Sequence, residues 1–172
     1  MKKNLGIIAL FSIVLLSFLF SACSSPESGK EGFAIYLTRD NIPVDKMEMQ
    51  SHIEIAKTPL ISGNDIEFYD WDKHEFELTT KAWGELNSLK VPTNGTAFVV
   101  CVDKAPVYWG AFWNPVSSQS FSGVTILVPS ISVVDDMVRI VLGYPSSSFF
   151  RGEDPRSNQE IMASLKAAGK LK

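Results

Sequence analysis

The sequence predicts an α+β domain, a small mainly antiparallel or mixed sheet packed by two helices and preceded by a cleaved signal helix. Three observations carry that prediction. Short β-prone apolar runs recur from residue 33 to residue 142, each closed by turn residues. Only two segments after the leader repeat their apolar residues at helical spacing. Those two do not alternate with strands in the strict order of a parallel α/β sheet.

In chain order, residues 33–38 read as the opening strand, and 39–47, with Asp40, Asn41, Pro43 and Asp45, as a loop. Residues 52–55 form a strand pattern with Ile53 and Ile55 on one face. Ser62-Gly63-Asn64-Asp65 is a turn by composition. Residues 66–69 and 75–78 read as the arms of a hairpin over Asp70-Trp71-Asp72-Lys73. Thr79 then caps a short helix with Ala82, Leu86 and Leu89 on its buried side, and Leu78 and Trp83 stand at staple positions. Residues 96–102, a turn at 103–106 and a return through 107–113 make the central hairpin. Its first arm is almost wholly apolar, which predicts burial on both faces. Residues 124–128 and 137–142 are further strands. A final helix is expected with Ser157 and Glu160 as capping box, Ile161, Leu165 and Ala168 as buried stripe, and Gly169 as C-cap.

The first 22 residues have a different character. Lys2 and Lys3 precede an apolar run from residue 5 to residue 20, and Ser21-Ala22-Cys23 follow. This is the physical pattern of an export signal. A run of about 18–20 apolar residues is also long enough to span a bilayer uncleaved, and cleavage as an ordinary secretory signal is a further reading. Leu19-Phe20-Ser21-Ala22-Cys23 resembles the lipobox of bacterial lipoproteins, with Phe20 where that family usually has Leu, Val or Ile. The resemblance implies cleavage before Cys23, a diacylglycerol on its thiol and often a third acyl chain on its amine. Two or more chains hold firmly to a bilayer where one does not. It also implies an extracytoplasmic domain anchored to the cell membrane, or to the outer membrane in a Gram-negative cell. Residues 23–32 are polar and aperiodic and read as the lipidated flexible tether. Residues 33–172 are the single domain.

Loss of the leader takes the net charge from −3 to −5 and leaves 150 residues. That length buries a core without staples. That charge disfavours nucleic acid as a partner. With Cys23 acylated, Cys101 has no disulfide partner. Its place in the apolar run 97–102 reads as a buried structural thiol.

A second resemblance covers residues 59–113. Pro59-Leu60-Ile61-Ser62-Gly63-Asn64-Asp65-Ile66, Phe76-Glu77-Leu78-Thr79 before a helix, and Phe98-Val99-Val100-Cys101-Val102-Asp103 with a Pro-Val-Tyr return strand are similar to the head part of the first extracytoplasmic domain of SecD. Lys104 stands where that family usually has Gly, and nothing after the leader matches its many membrane helices. The resemblance implies a small α+β module without catalytic residues and a role in handling exported polypeptide.

Asp70, Asp72 and His74 alternate, so an extended strand puts them on one face, where two carboxylates and an imidazole form a weak candidate for a divalent metal. Acidic residues also collect in hairpin turns for no such reason. The segment fails as a calcium loop, with Glu75 where Gly is needed and Lys81 where Glu is needed. His52 is the only other histidine, and no Gly-x-Ser-x-Gly elbow is present. No catalytic residue and no cofactor beyond the acyl lipid is assigned.

Two aromatic segments remain. In Tyr108-Trp109-Gly110-Ala111-Phe112-Trp113, strand alternation sets Trp109 and Trp113 on one face and Tyr108 and Phe112 on the other. One set enters the core, and the other either packs under the terminal helix or lies open as a stacking platform or interface anchor; burial of both sets is the plainer alternative for at least half of these residues. Phe149, Phe150 and Arg151 lie in a Ser/Gly/Pro-rich loop and either plug the sheet or form a partner-binding lip, with Arg151 and Arg156 expected to pair with Glu153 and Asp154. The expected function is a membrane-anchored, non-catalytic module of the cell envelope. Its partners are the bilayer through Cys23 and an envelope protein or exported polypeptide. Glycan or small-ligand binding through exposed aromatics is the alternative, and an envelope hydrolase ranks last.

Overall fold

The computed structural model describes residues 30–49, 52–128 and 137–172. The leader, Cys23 and the tether as far as residue 29 lie outside the described residues. Residues Glu31–Lys172 form one compact unit.

Among the described residues eight strands make one mixed sheet: β1 (Phe33–Leu37), β2 (Ile61–Ser62), β3 (Ile66–Asp70), β4 (Glu75–Leu78), β5 (Thr96–Val102), β6 (Ala105–Trp113), β7 (Phe121–Leu127) and β8 (Met137–Tyr144). Their order is β2-β1-β5-β6-β7-β8-β4-β3. All neighbours are antiparallel except β6 and β7, which run parallel. The two ends of the sheet, β2 and β3, are joined by only Gly63–Asp65. A sheet whose ends are three residues apart must curl on itself, and Phe33 of β1 accordingly meets Tyr69 of β3 edge-on at 6.2 Å. The C-terminus adds to the β3 edge, where Leu171 bridges Tyr69 in parallel.

The curl gives the sheet an inner and an outer face. The inner core gathers Ile35, Phe76, Phe98, Phe112, Ile126 and Ile140, all essentially inaccessible. Helices α1 (Thr80–Asn87) and α2 (Gln159–Ala167) add Ala82, Leu86, Ile161 and Leu165 to it. The outer core is smaller. Tyr36, Val99, Cys101 and Trp113 are covered there by Val44 and Met47 of the 3-10 segment Val44–Met49. Burial of β5 on both faces follows from this layering, as its apolar run predicts. The α+β class is therefore seen.

Local chemistry explains most elements. Asp103 (φ 50°) and Lys104 (φ 68°) are both left-handed, and such a two-residue turn matches the twist of a tight hairpin. Thr79 caps α1 by accepting the Ala82 N–H at 3.3 Å. The last helix is capped one residue later than expected. Asn158, not Ser157, accepts from the Glu160 N–H at 2.7 Å, since both residues are good caps and the backbone turns at the second. Ala168 is the C-cap and exposed, not part of the stripe. Gly169 (φ 68°) ends the helix, with the Lys170 N–H returning to the Leu165 carbonyl at 2.9 Å. The strand expected at 52–55 shrinks to one bridge, Ile55 to Thr38.

Candidate functional site

The irregular feature of the sheet is the junction of β6 and β7. Parallel neighbours ordinarily need a crossover of about a dozen residues or more. Here residues 114–120 are all that join them. The link is held by the Tyr144 hydroxyl, which donates to the Pro115 carbonyl at 2.8 Å and to the Ser117 carbonyl at 3.2 Å. The ladder covers Gly110, Ala111, Phe112 and Trp113 against Val124, Thr125, Ile126 and Leu127, and then stops. Gly110 is the pivot. A Cβ there would lie 2.5 Å from the Phe98 ring and 2.5 Å from the Val124 carbonyl oxygen, so only glycine lets the strands close at that point.

Below the pivot the strands part and leave a cleft of about 390 Å³. One wall is Val107, Tyr108 and Trp109 of β6, and the other is Phe121, Ser122, Gly123 and Val124 of β7. Phe150, Arg151, Glu153 and Pro155 close it from the loop after β8. Trp109, Phe150 and Arg151, picked out separately in the sequence, therefore meet. Trp109 is half-buried and tilts against Phe121 at 6.1 Å. Phe150 packs partly on the inner core, while Phe149 stays 41% exposed outside the cleft lining.

Trp113 is corrected from surface to core. It is 3% exposed, stacked on Phe121 at 5.1 Å and tilted against Tyr144 at 6.1 Å, with Gly95 close beneath its ring. A platform of two open indoles does not form. Among the described residues Arg151 pairs with no acid, but donates to the carbonyls of Ser148 and Phe150 at 3.0 and 2.8 Å. Arg156 is the loop's clamp. It grips Asp154 through Nε and Nη2 at 2.9 and 2.7 Å, and donates Nη1 to the Ile140 carbonyl at 2.7 Å. These hydrogen bonds hold the Asp154 carboxyl below the usual carboxylate range.

Behind this clamp lie Tyr69 and Tyr108, whose phenols are pushed up chiefly by burial. His74 lies there as well. It ends the turn 71–74 at φ 53°, so no strand runs through 70–74, and its imidazole lies inward, 8% exposed and edge-on to Trp71 at 5.9 Å. Burial, and then the Arg156 charge, hold it below its ordinary pKa, and its Nδ1 has no partner among the described residues. Asp70 turns instead to Lys73 at 3.0 Å. Asp70, Asp72 and His74 therefore do not converge, and no group of three or more His, Cys, Asp or Glu among the described residues is placed to hold a metal.

Cys101 is fully buried, and burial with the nearby Glu31 charge pushes its thiol up to about 11, the opposite of an activated nucleophile. A second, more open groove of about 610 Å³ runs past Arg39, His52, Glu54 and Lys104. The sequence anticipates local pairing of Arg156 with Asp154, but not the Arg156 bond to the Ile140 carbonyl or the places of Phe121 and Glu153 in the cleft wall. The available signal was Gly110, a glycine inside a strand, which marks close backbone approach. Comparison with protein-family models, with curated protein sequences and with solved structures finds no match.

Proposed function

We propose that this chain is a lipid-anchored protein of the bacterial cell envelope whose domain binds polypeptide at the β6–β7 cleft without catalysing a reaction. One observation carries the proposal: Trp109, Phe150 and Arg151, 41 and 42 residues apart in sequence, line a single cleft. Aromatic side chains beside an arginine are the composition that dominates binding energy at protein interfaces. The similarity of residues 59–113 to the SecD head supports a role with exported polypeptide. The leader and the lipobox-like Leu19-Phe20-Ser21-Ala22-Cys23 support the location.

Burial of Trp113 weighs against the glycan alternative, since one half-buried indole is a poor stacking platform. The test uses the full chain in detergent micelles, titrated with a permanently unfolded apolar polypeptide and with cello-oligosaccharides. Tryptophan emission should move with the polypeptide, and Trp109→Phe should remove most of the change. A response to the oligosaccharide alone would reject the proposal. Intact mass of membrane-extracted protein should start at Cys23 and carry fatty-acid increments.

A further inference from the structure

The cleft borders a backbone donor that the β6–β7 ladder leaves without a β7 partner. In β6 the carbonyl of Trp113 accepts from the Val128 N–H at 3.0 Å, so Trp113 directs its peptide groups toward β7. Alternation assigns the same direction to Ala111 and Trp109. A parallel ladder continued one step would send the Trp109 N–H to the Ser122 carbonyl. The ladder has stopped at Gly110, and the Ser122 carbonyl accepts from the Arg151 N–H at 2.9 Å instead. β6 keeps its β5 partner here, with Trp109 opposite Val99 and Tyr108 opposite Val100. The flank facing the cleft is thus a strand edge, set between Tyr108, Phe121 and Phe150. The β5–β6 register then shifts, with Val100 opposite Tyr108 but Cys101 opposite Pro106, so regular alternation ends at Val107 and bounds the edge at residues 107–109.

Resting on the polypeptide-binding reading, we infer that the occupant is an extended, mainly apolar segment of a second polypeptide, laid beside residues 107–109 of β6. One of its carbonyls accepts from the Trp109 N–H, and one apolar side chain enters between Phe121 and Phe150. Strand addition at an open edge takes its affinity from main-chain hydrogen bonds and its selectivity from pockets for side chains. An oligosaccharide offers hydroxyls to the donor but no apolar side chain for the pocket.

The test uses the full chain in micelles with the blocked peptide acetyl-Lys-Val-Ile-Phe-Val-Lys-amide as probe. A second copy of the probe is N-methylated on two consecutive central amides, which blocks both strand edges and keeps the side chains. The parent should bind and shift the Trp109 amide proton in a nitrogen-15 correlation spectrum. The methylated copy should bind about tenfold more weakly or worse. Equal affinity of the two probes, without a Trp109 amide shift, would overturn strand addition and leave polypeptide binding standing. Failure of both probes, with cello-oligosaccharide moving the Trp109 resonances, would overturn the polypeptide reading and this inference together.

Discussion

The two flanks of β6 were built by different means. On one side β6 pairs with β5 from Thr96↔Phe112 to Val102↔Ala105, over nearly its whole length. On the other it pairs with β7 over four residues and then parts from it. The first flank follows a two-residue turn, so contact begins next to the turn and zips along. The second follows a seven-residue link between parallel strands, so contact begins at a glycine pivot and runs out of strand. The lesson is that a local turn produces a closed ladder, while a short parallel return leaves an edge.

The comparison is broken most severely at Trp113. It closes the outer face above the pivot, so Trp113→Ala should lower unfolding free energy by about 3–5 kcal/mol. Trp109→Ala on the parted segment should lose less, about 1–2 kcal/mol, since that ring is only partly buried. Urea unfolding of both variants checks the contrast, and equal losses would mean the cleft is closed in solution.

Next in size is the clamp. Arg156→Ala removes two bonds to Asp154 and one to the Ile140 carbonyl, at a cost of about 1–3 kcal/mol. Residues 150–156 should become protease-sensitive before the β5–β6 hairpin does. Cleavage of both regions at one rate would contradict a separately held loop wall.

The closed flank can be strengthened. Lys104 sits at φ 68°, where a side chain costs about 1 kcal/mol, and Lys104→Gly creates the Asp-Gly pair that such turns favour. Its contact with the buried Glu31 Oε2 is 3.7 Å long and made by an exposed lysine, too weak to offset that gain. The variant should be about 0.5–1 kcal/mol more stable, read as a higher urea midpoint. A lower midpoint would show that the contact with Glu31 matters more than the turn.

The smallest effect is in pH. His74 is held below its ordinary 6.5 by burial and by Arg156, against the opposing pull of Asp154 and Asp72. Above pH 6.5 the folded and unfolded forms are both neutral at this residue. As pH falls below 6.5 the unfolded chain takes the proton first, and stability declines until folded His74 titrates as well. Asp154, held below 3.8, acts only in a more acidic window. His74→Gln should flatten the slope between pH 6.5 and 5, and an unchanged slope would remove His74 from the account.

The sequence reveals what is local. The β3–β4 and β5–β6 hairpins, both helices and the glycine that ends the second follow from turn and cap residues. The shifted N-cap comes from two adjacent residues, Ser157 and Asn158, with the same capping chemistry. Parallel pairing of β6 with β7 was not legible, because it depends on where residues 114–120 lay the chain rather than on any motif. The site was half legible for the same reason. Trp109, Phe150 and Arg151 stand out as aromatic and charged residues in unusual settings, yet no pattern brings residue 109 to residue 150. His74 escaped because residues 71–74 form the hairpin turn, where strand alternation assigns no face.

Amide hydrogen exchange on β6 tests the open edge most directly. In the free chain the Trp109 amide should exchange well ahead of those of Ala111 and Trp113, and the parent peptide should slow it toward theirs. A Trp109 amide as protected as that of Ala111 before any peptide is added would show that the strand has no free flank.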